Sequence, residues 1–377
     1  MKLFINALSA RMGGGQTYLV NLLRHPPDPA RMHLFIYAPF CLTLPRHPAV
    51  TRLRTAWPTG NPVLRTLWEK TVLPKVLRQA GADVLFCPGG VVATRAPRGC
   101  RTATMFRNMI PFDPVQRRRY PPGYQRLRNR ILHRVMLESM LRADRVIFIS
   151  EHARRVIEKA AGRRLRRAVV IPHGVNEMFH DAPKDPRERF GWLPDEYLLY
   201  VSTIDRYKAQ VEVVQAYARL CAMRPTKEKL LLVGHQTPGY GRRVRREISR
   251  LGLEGRVRLT GPVAYSEMPI LYHRAKLHIF ASESENCPNI LLEAMAAGGA
   301  VLASNRPPMP EFAGDAVIYF DPSRPAQLAA RLAGLIDDAD GRSRLGAKAR
   351  ARVARYDWGL TARRTWEALY PLSSEAI

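Results

Sequence analysis

Two carboxylates, Glu285 and Glu293, stand eight residues apart in the stretch FASESENCPNILLEAMAAG, and between them Pro288-Asn289 opens a helical pattern that ends at Gly298-Gly299. Proline suits the first helical turn and glycine the C-terminal cap. The unpaired N–H groups of such a helix start make a site for an anion such as phosphate. Were both glutamates on one helix, the rise between them would be roughly 12 Å. Paired glycosidase carboxylates stand about 5–9.5 Å apart, so joint acid–base work on one bond does not fit. Two acids bracketing an anion site suit contacts to hydroxyls at opposite ends of a sugar nucleotide; a loop acid and a solvated helix residue are the alternative. Gly13-Gly14-Gly15 lets backbone approach a ligand closely. It lacks the GxGxxG spacing of a nicotinamide site, and a tight turn without a ligand is the other reading. His173-Gly174 reads equally as a linker turn or a ligand contact. The ten histidines and five cysteines show no ligand spacing such as HExxH, so no metal site is predicted.

Positioning these groups falls to short apolar runs that alternate with longer amphipathic stretches. Leu3–Leu8, Leu34–Tyr37, Val84–Cys87, Thr102–Phe106, Val146–Ile149 and Ala168–Ile171 read as buried strands. Helical patterns fall between them at Thr17–Leu23, Val63–Gln79 and Tyr124–Leu141. The theme restarts with strands at Tyr197–Val201, Lys229–Val233, Val257–Thr260, Leu277–Phe280, Ala300–Ala303 and Ala316–Tyr319. Helices are predicted there at Val211–Met223, Tyr240–Leu251, Ser266–Arg274, Asn289–Ala297 and Gln327–Asp337. Such alternation predicts α/β architecture, with two Rossmann-like, doubly wound parallel sheets in tandem. The domains are placed at 1–175 and 196–355, joined by a Pro- and charge-rich linker at 176–195. In these sheets ligands bind beyond the carboxyl ends of the strands, and a cleft between two such domains is the default site.

The 377 residues carry 60 Lys+Arg against 32 Asp+Glu, a net charge of +28. Residues 1–170 hold 31 basic and 8 acidic side chains; residues 171–377 hold 29 and 24. Half of the chain makes almost the whole positive field, which speaks of partners rather than fold. Nucleic acid, an anionic membrane surface, an anionic substrate and an Arg-rich bias without purpose are the four readings. The helix Tyr124–Leu141 puts Leu127, Ile131, Leu132, Val135 and Met136 toward one side and Arg126, Arg128, Arg130 and Arg134 elsewhere. Packing of that apolar face on the sheet is the more frequent outcome; lying on an anionic membrane is the other. Scattered cysteines argue for a reducing cytoplasm. No run of about 18 apolar residues occurs, and MKLFINALSARMGGG reads as a first strand rather than a signal peptide.

The segment 280–298 resembles the Glu-x7-Glu signature of the family 4 retaining glycosyltransferases (group 1), which adopt the GT-B fold. The resemblance continues through AVLAS and PEFAGDA, over 300–304 and 310–316. Upstream, IPHGVN, YVSTIDRYKAQVEVVQAYARL, LLLVGH and RVRLTGPVAYSEMPILYHRA follow in family order. It is strong over about 170–335 and thinner in the first half, where GGGQTYLVNLL and DRVIFISEHAR carry it. The resemblance implies that Glu293 holds the ribose hydroxyls of a nucleotide-sugar donor and that Glu285 sits beside the donor sugar. Backbone of Asn286, Cys287, Pro288, Asn289, Ile290 and Leu291 would meet the sugar and diphosphate. Lys208 would neutralise the departing diphosphate, making Lys208 and Glu285 the catalytic pair. Val263 would pack on the base, and Gly14 and Gly15 would face the donor phosphate or the acceptor. Members often carry an Arg five or six residues before the lysine; here those positions are Thr203 and Ser202, with Arg206 the candidate substitute. Many members carry a His after the fourth N-terminal strand, where this chain has Arg107-Asn108, the acceptor-side candidates. Residues 356–377 resemble the final helix that returns to the N-terminal domain.

The resemblance implies a metal-independent transferase with no cofactor beyond its nucleotide-sugar co-substrate, placed in the cytoplasm or on the inner face of the plasma membrane. Its acceptor would be a glycan or a lipid-linked sugar, in surface polysaccharide assembly. The excess charge of the first half suits an anionic membrane surface. A sugar-nucleotide epimerase of the same fold is the alternative. A nucleic-acid-binding protein rests on charge alone, without recognition-helix, RNP or zinc-finger motifs, and no specific nucleic acid is expected.

Overall fold

In the computed structural model, which describes residues 1–11, 13–120, 122–183 and 190–373, the chain divides into two compact units. One comprises residues 1–174 and 356–377, the other residues 175–355. Residues 184–189 of the expected linker and 374–377 of the expected final helix lie outside the described residues.

The first unit holds β1 (Lys2–Asn6), β2 (His33–Tyr37), β3 (Val50–Leu53), β4 (Val84–Cys87), β5 (Arg101–Phe106), β6 (Arg145–Phe148) and β7 (Ala168–Val170). They form one sheet in the order β3-β2-β1-β4-β5-β6-β7, every pairing parallel. The second unit holds β8 (Tyr197–Val201), β9 (Lys229–Val233), β10 (Val257–Gly261), β11 (Leu277–Phe280), β12 (Val301–Ser304) and β13 (Ile318–Phe320). Its order is β10-β9-β8-β11-β12-β13, again all parallel. Strands such as VLFC, YLLYV and LHIF are buried almost throughout, because helices cover both faces and leave no polar side to alternate with. In both sheets the strand order reverses once, between β1 and β4 and between β8 and β11. At such a reversal the loops diverge and leave a crevice at the carboxyl ends of the strands.

Four features differ from the sequence reading. The expected helix Val63–Gln79 is two helices, Pro62–Thr71 and Leu73–Ala80. Pro74 has no N–H to offer, and its ring excludes the carbonyl four residues back. The short edge strand β3 and the helices Pro114–Arg119, Glu151–Ala161, Met309–Ala313 and Ala339–Val353 are additional. Residues 176–183 and 190–195, expected as linker, group with the second unit, where Phe179 is fully buried against Tyr265 and Tyr272. Finally, the apolar face of the helix Tyr124–Arg142 is not all packed. Met136 is buried and Leu132 half-buried, while Leu127, Ile131 and Val135 are 58%, 53% and 37% exposed. The apolar arc is wider than the line Asn129, Met136, Ser139 and Met140 that meets the unit.

The final helix, Trp358–Leu369, belongs to the first unit. Thr361 Oγ1 donates to the Pro172 carbonyl at 2.8 Å, and Trp366 Nε1 donates to the His25 carbonyl at 2.7 Å. A Cβ on Gly174 would come within 2.3 Å of the Trp358 nitrogen, so only glycine lets the helix start lie that close.

Candidate active site

In the second unit, the loop after β8 and the loop after β11 meet at the strand-order reversal. The Glu283 N–H donates to the Tyr207 carbonyl at 2.8 Å and stitches the two together. On the first loop, Arg206–Lys208 forms a single 3-10 turn. The Tyr200 hydroxyl, from β8, donates to the Lys208 carbonyl at 2.6 Å. Gln210 Nε2 donates to Ser202 Oγ at 2.8 Å and to the Thr203 carbonyl at 3.0 Å. Gly234, with φ of 144°, lets the neighbouring loop pass, since a Cβ there would lie 2.1 Å from the Ser202 carbonyl oxygen. The turn ends in Ala209 at φ 53°, the one positive-φ residue other than glycine among the described residues.

These restraints aim Lys208 inward. Its ammonium is buried, ion-paired and hydrogen-bonded to Glu285 from the second loop. It also lies 5.0 Å from the Tyr207 ring centroid and 5.5 Å from that of Phe280, whose faces attract a cation. Burial acts to lower the Lys208 pKa, but the charge of Glu285, with Tyr207 and Asp205, outweighs it and the net direction is upward. The lysine stays charged.

Beyond Glu285 the loop runs through buried Asn286, half-buried Cys287 and buried Pro288 into the helix Asn289–Ala296. No side chain caps this helix start. The Asn289 N–H closes onto the Cys287 carbonyl at 2.9 Å and the Leu292 N–H onto Pro288 at 3.1 Å. The N–H groups of Ile290 and Leu291 stand in the first turn, where helix geometry supplies no partner four residues back. Asn289 Oδ1 is buried without a partner among the described residues. The Leu291 side chain is core, so that residue can offer a ligand only backbone. At its far end the helix is held by the unanticipated helix Ala339–Val353. Gly346 packs so tightly on Gly298 that a Cβ would meet its carbonyl oxygen at 2.2 Å, and Arg350 Nη2 donates to the Ala297 carbonyl at 3.2 Å.

Glu293, on the site helix, is buried. Its Oε1 accepts from the Tyr265 hydroxyl at 3.0 Å and its Oε2 from the Tyr272 hydroxyl at 3.1 Å. Asn176 Nδ2 donates to the Tyr265 oxygen at 2.9 Å. Burial pushes the Glu293 pKa up to about 7, with the two tyrosine hydroxyls pulling it back. Tyr265, Tyr272 and Asn176 escaped the sequence reading, because Asn176 lies some ninety residues from the two tyrosines and all three are distant in sequence from Glu293. Val263, half-buried in the turn after β10, is the expected neighbour; two residues on, Tyr265 is the side chain that reaches Glu293. Arg206 is exposed at the start of the lysine turn.

The remaining candidates lie in the first unit. Gly13 (φ 59°) and Gly14 face open space, and Gly14 starts the helix Gly14–Arg24 after β1. Arg107, after β5, donates through Nη1 to the Gly14 carbonyl at 3.2 Å and lies 5.8 Å over the Tyr18 ring. A Cβ on Gly15 would come within 3.0 Å of its guanidinium. Burial lowers the Arg107 pKa from its ordinary value. Gly14, Gly15 and Arg107 therefore come together as a glycine loop propped by a guanidinium. Asn108 follows, half-buried. Among the described residues no cluster of three or more His, Cys, Asp or Glu is placed to hold a metal ion, and no helix is long and apolar enough to cross a membrane.

A buried lysine and an uncapped helix start stand at the reversal of a parallel sheet, with a carboxylate beyond them, an arrangement able to receive an anion. Residues 184–352 match the family described as glycosyl transferases group 1, and residues 12–178 match glycosyltransferase family 4. The chain belongs to this glycosyltransferase family. It is 32% identical over 212 residues to the D-inositol 3-phosphate glycosyltransferase of Thermobispora bispora, covering 53% of this chain and 50% of that protein. It is 25% identical over 247 residues to the O-antigen chain mannosyltransferase B of Escherichia coli, covering 63% of each. The chain thus spans half to under two thirds of these curated relatives. Among solved structures, Anabaena HepE in complex with UDP superposes with a TM-score of 0.71 at 20% identity, over 97% of this chain and 98% of that one. The two parallel-sheet units are those of the GT-B class, as the family resemblance implied.

Proposed function

We propose that the chain transfers a sugar, with retention, from a nucleotide-sugar donor held by the second unit to a glycan or lipid-linked acceptor met by the first. The observation that carries this reading is the buried Lys208–Glu285 pair beside the uncapped start of the helix Asn289–Ala296. As the anomeric C–O bond breaks, negative charge grows on the nucleoside diphosphate. A fixed ammonium and the N–H groups of Ile290 and Leu291 stabilise that charge without a metal. Glu285 neutralises Lys208. When the diphosphate takes over the ammonium, Glu285 is released to accept a sugar hydroxyl, and Asn289 Oδ1 gains a donor from the same sugar. Glu293 accepts the ribose hydroxyls. Transfer follows front-face substitution, the departing phosphate helping to deprotonate the acceptor hydroxyl.

The UDP in the HepE structure supports a nucleotide donor, and the O-antigen relative supports a surface-polysaccharide setting. The basic first unit supports an anionic membrane as the place where the acceptor is met. The test is a panel of nucleotide sugars with lipid-linked and free glycan acceptors, read by mass spectrometry of products. Free nucleoside diphosphate released only with acceptor, with the anomeric configuration retained in the product, is expected. Epimerised donor without transfer overturns the reading.

A further inference from the structure

One concavity of the first unit is strongly cationic. It has a volume of about 200 Å³ and is lined by Pro114, Arg117, Arg118, Arg126 and Arg130, with no carboxylate in its wall. Arg117 and Arg118 come from the helix Pro114–Arg119, held at its start by Asp113, whose Oδ1 accepts from the Gln116 N–H at 3.0 Å. Arg126 and Arg130 are one turn apart on the helix Tyr124–Arg142, which is pinned where the Pro111 carbonyl accepts from His133 Nδ1 at 3.1 Å. The one acid on that helix, Glu138, pairs with Arg142 at the other end. None of the four guanidinium groups forms an ion pair or hydrogen bond with another described residue. Four guanidinium forks in one concavity repel one another, and their geometry matches phosphate oxygens bidentately.

Beside this pocket runs the exposed apolar stripe. Tyr124, Leu127, Ile131 and Val135 recur every three or four residues along one face of the helix, 74%, 58%, 53% and 37% exposed. Arg126, Arg130 and Arg134 flank it on one side and Arg128 on the other. Val115, on the helix Pro114–Arg119, is 61% exposed as well. Free phosphate needs only the cations. A cationic pocket edged by apolar side chains at helical spacing suits an amphiphile, whose phosphate sits at the headgroup level and whose apolar part begins just beneath.

We propose that the pocket of Arg117, Arg118, Arg126 and Arg130 holds the phosphate of an anionic phospholipid headgroup, with Tyr124, Leu127 and Ile131 entering the bilayer interface beside it. This deepens the membrane-facing reading above and rests on it. The surplus charge of the chain then acts at a defined place, and the first unit docks in one orientation.

The test uses the full chain and vesicles of phosphatidylcholine with or without phosphatidylglycerol, read by flotation. The fourfold variant Arg117→Gln/Arg118→Gln/Arg126→Gln/Arg130→Gln is compared with Arg155→Gln/Arg163→Gln/Arg164→Gln/Arg166→Gln, which removes equal charge from exposed positions of the same unit. The pocket variant is expected to lose more than about tenfold in affinity for anionic vesicles and the control less than about threefold. Equal losses assign the binding to diffuse charge and overturn the pocket. Inorganic phosphate binding that the pocket variant loses while it keeps wild-type affinity for anionic vesicles assigns the pocket to free phosphate and overturns the lipid. Should the variant fold poorly, hydrogen exchange on the wild-type chain decides: anionic vesicles should protect residues 114–135, and protection confined elsewhere overturns the proposal. Nucleotide-sugar binding without vesicles is measured in parallel. Donor binding without vesicle binding defeats this inference alone, and vesicle binding without donor binding defeats the donor reading alone.

Discussion

In the first unit, the loop after β1 ends at Gly13, and the Gly14-Gly15 helix start that follows meets the Arg107 guanidinium. In the second, the loop after β8 carries a lysine locked to a glutamate from the loop after β11. Both loops stand where a parallel sheet reverses its strand order, so topology makes the crevice twice and the loop residues decide what each can do. Charge follows the same division. The first unit carries 33 basic and 11 acidic side chains, the second 27 and 21. Where the second unit holds a buried cation it supplies an anion of its own, which a ligand must displace. The first unit leaves its arginine pocket without a carboxylate, waiting for an anion from outside.

If the second unit alone grips the donor, its lysine and the first unit's arginine should separate sharply. Lys208→Ala should lower turnover on the order of a hundred- to a thousandfold, as removal of a fixed donor to a developing anion does. It should also cost about 1–3 kcal/mol of stability, because Glu285 loses its partner. The double variant Lys208→Met/Glu285→Gln removes both charges and should recover most of that stability with none of the turnover. Arg107→Ala should leave nucleotide affinity within about twofold, since it shares no partner with the donor site. Steady-state turnover and denaturant titration check the two lysine variants, and calorimetric titration of nucleotide checks Arg107→Ala. A tenfold loss of affinity in Arg107→Ala would break the division of labour.

Glu293 offers a smaller and signed effect. Burial holds its carboxyl at about 7 against an ordinary 4.5, so between those values the folded chain keeps a proton that the unfolded chain has released. The contribution of this group to stability is therefore highest below pH 4.5 and declines as pH rises to about 7, by about 3 kcal/mol. Glu293→Gln should flatten that decline in denaturant titrations across the range. Donor recognition runs the opposite way, because ribose hydroxyls donate best to the ionised carboxylate. Nucleotide affinity of the wild type should climb as pH passes about 7, and that of Glu293→Gln should not. A wild-type affinity that stays level across the same range contradicts the ribose assignment.

What the sequence made legible follows from how locally each feature is encoded. The strands Val84–Cys87, Tyr197–Val201, Lys229–Val233 and Leu277–Phe280 fall on the predicted residues, because each is an apolar run with abrupt polar or glycine borders. The doubly wound plan followed from their alternation with helices, and family order pointed to Lys208, Glu285 and Glu293. Edge strand β3 was not visible: VTRL is short and half-buried, without a run or an alternation to mark it. The helix Ala339–Val353 was missed because ADGRSRLGAKARARV is mostly polar; its role, holding the end of the site helix through Gly346 and Arg350, depends on contacts some fifty residues away. The same limit hid the tyrosine pair on Glu293. The exposed stripe of the helix Tyr124–Arg142 was left open between two readings for another reason. Periodicity reports that a face is apolar and does not say what covers it.

The finest distinction between the two units lies in the backbone. The first unit meets the demand for a left-handed residue in its site loop with glycine, at Gly13; the second places Ala209 there, next to the lysine. An alanine in that conformation costs about 1–2 kcal/mol, and the site retains it with the side chain buried. Ala209→Gly relieves the strain but removes a buried methyl worth about 0.8 kcal/mol, and it lets the unfolded chain roam more widely. The net stability change should therefore be small, within about 1 kcal/mol. The effect on function should be the clearer one. Glycine frees the end of the turn that aims Lys208, so nucleotide affinity should fall by about two- to fivefold while the melting temperature barely moves. Affinity equal to wild type would mean that the Tyr200 hydroxyl on the Lys208 carbonyl positions the ammonium unaided, leaving the strained alanine as packing.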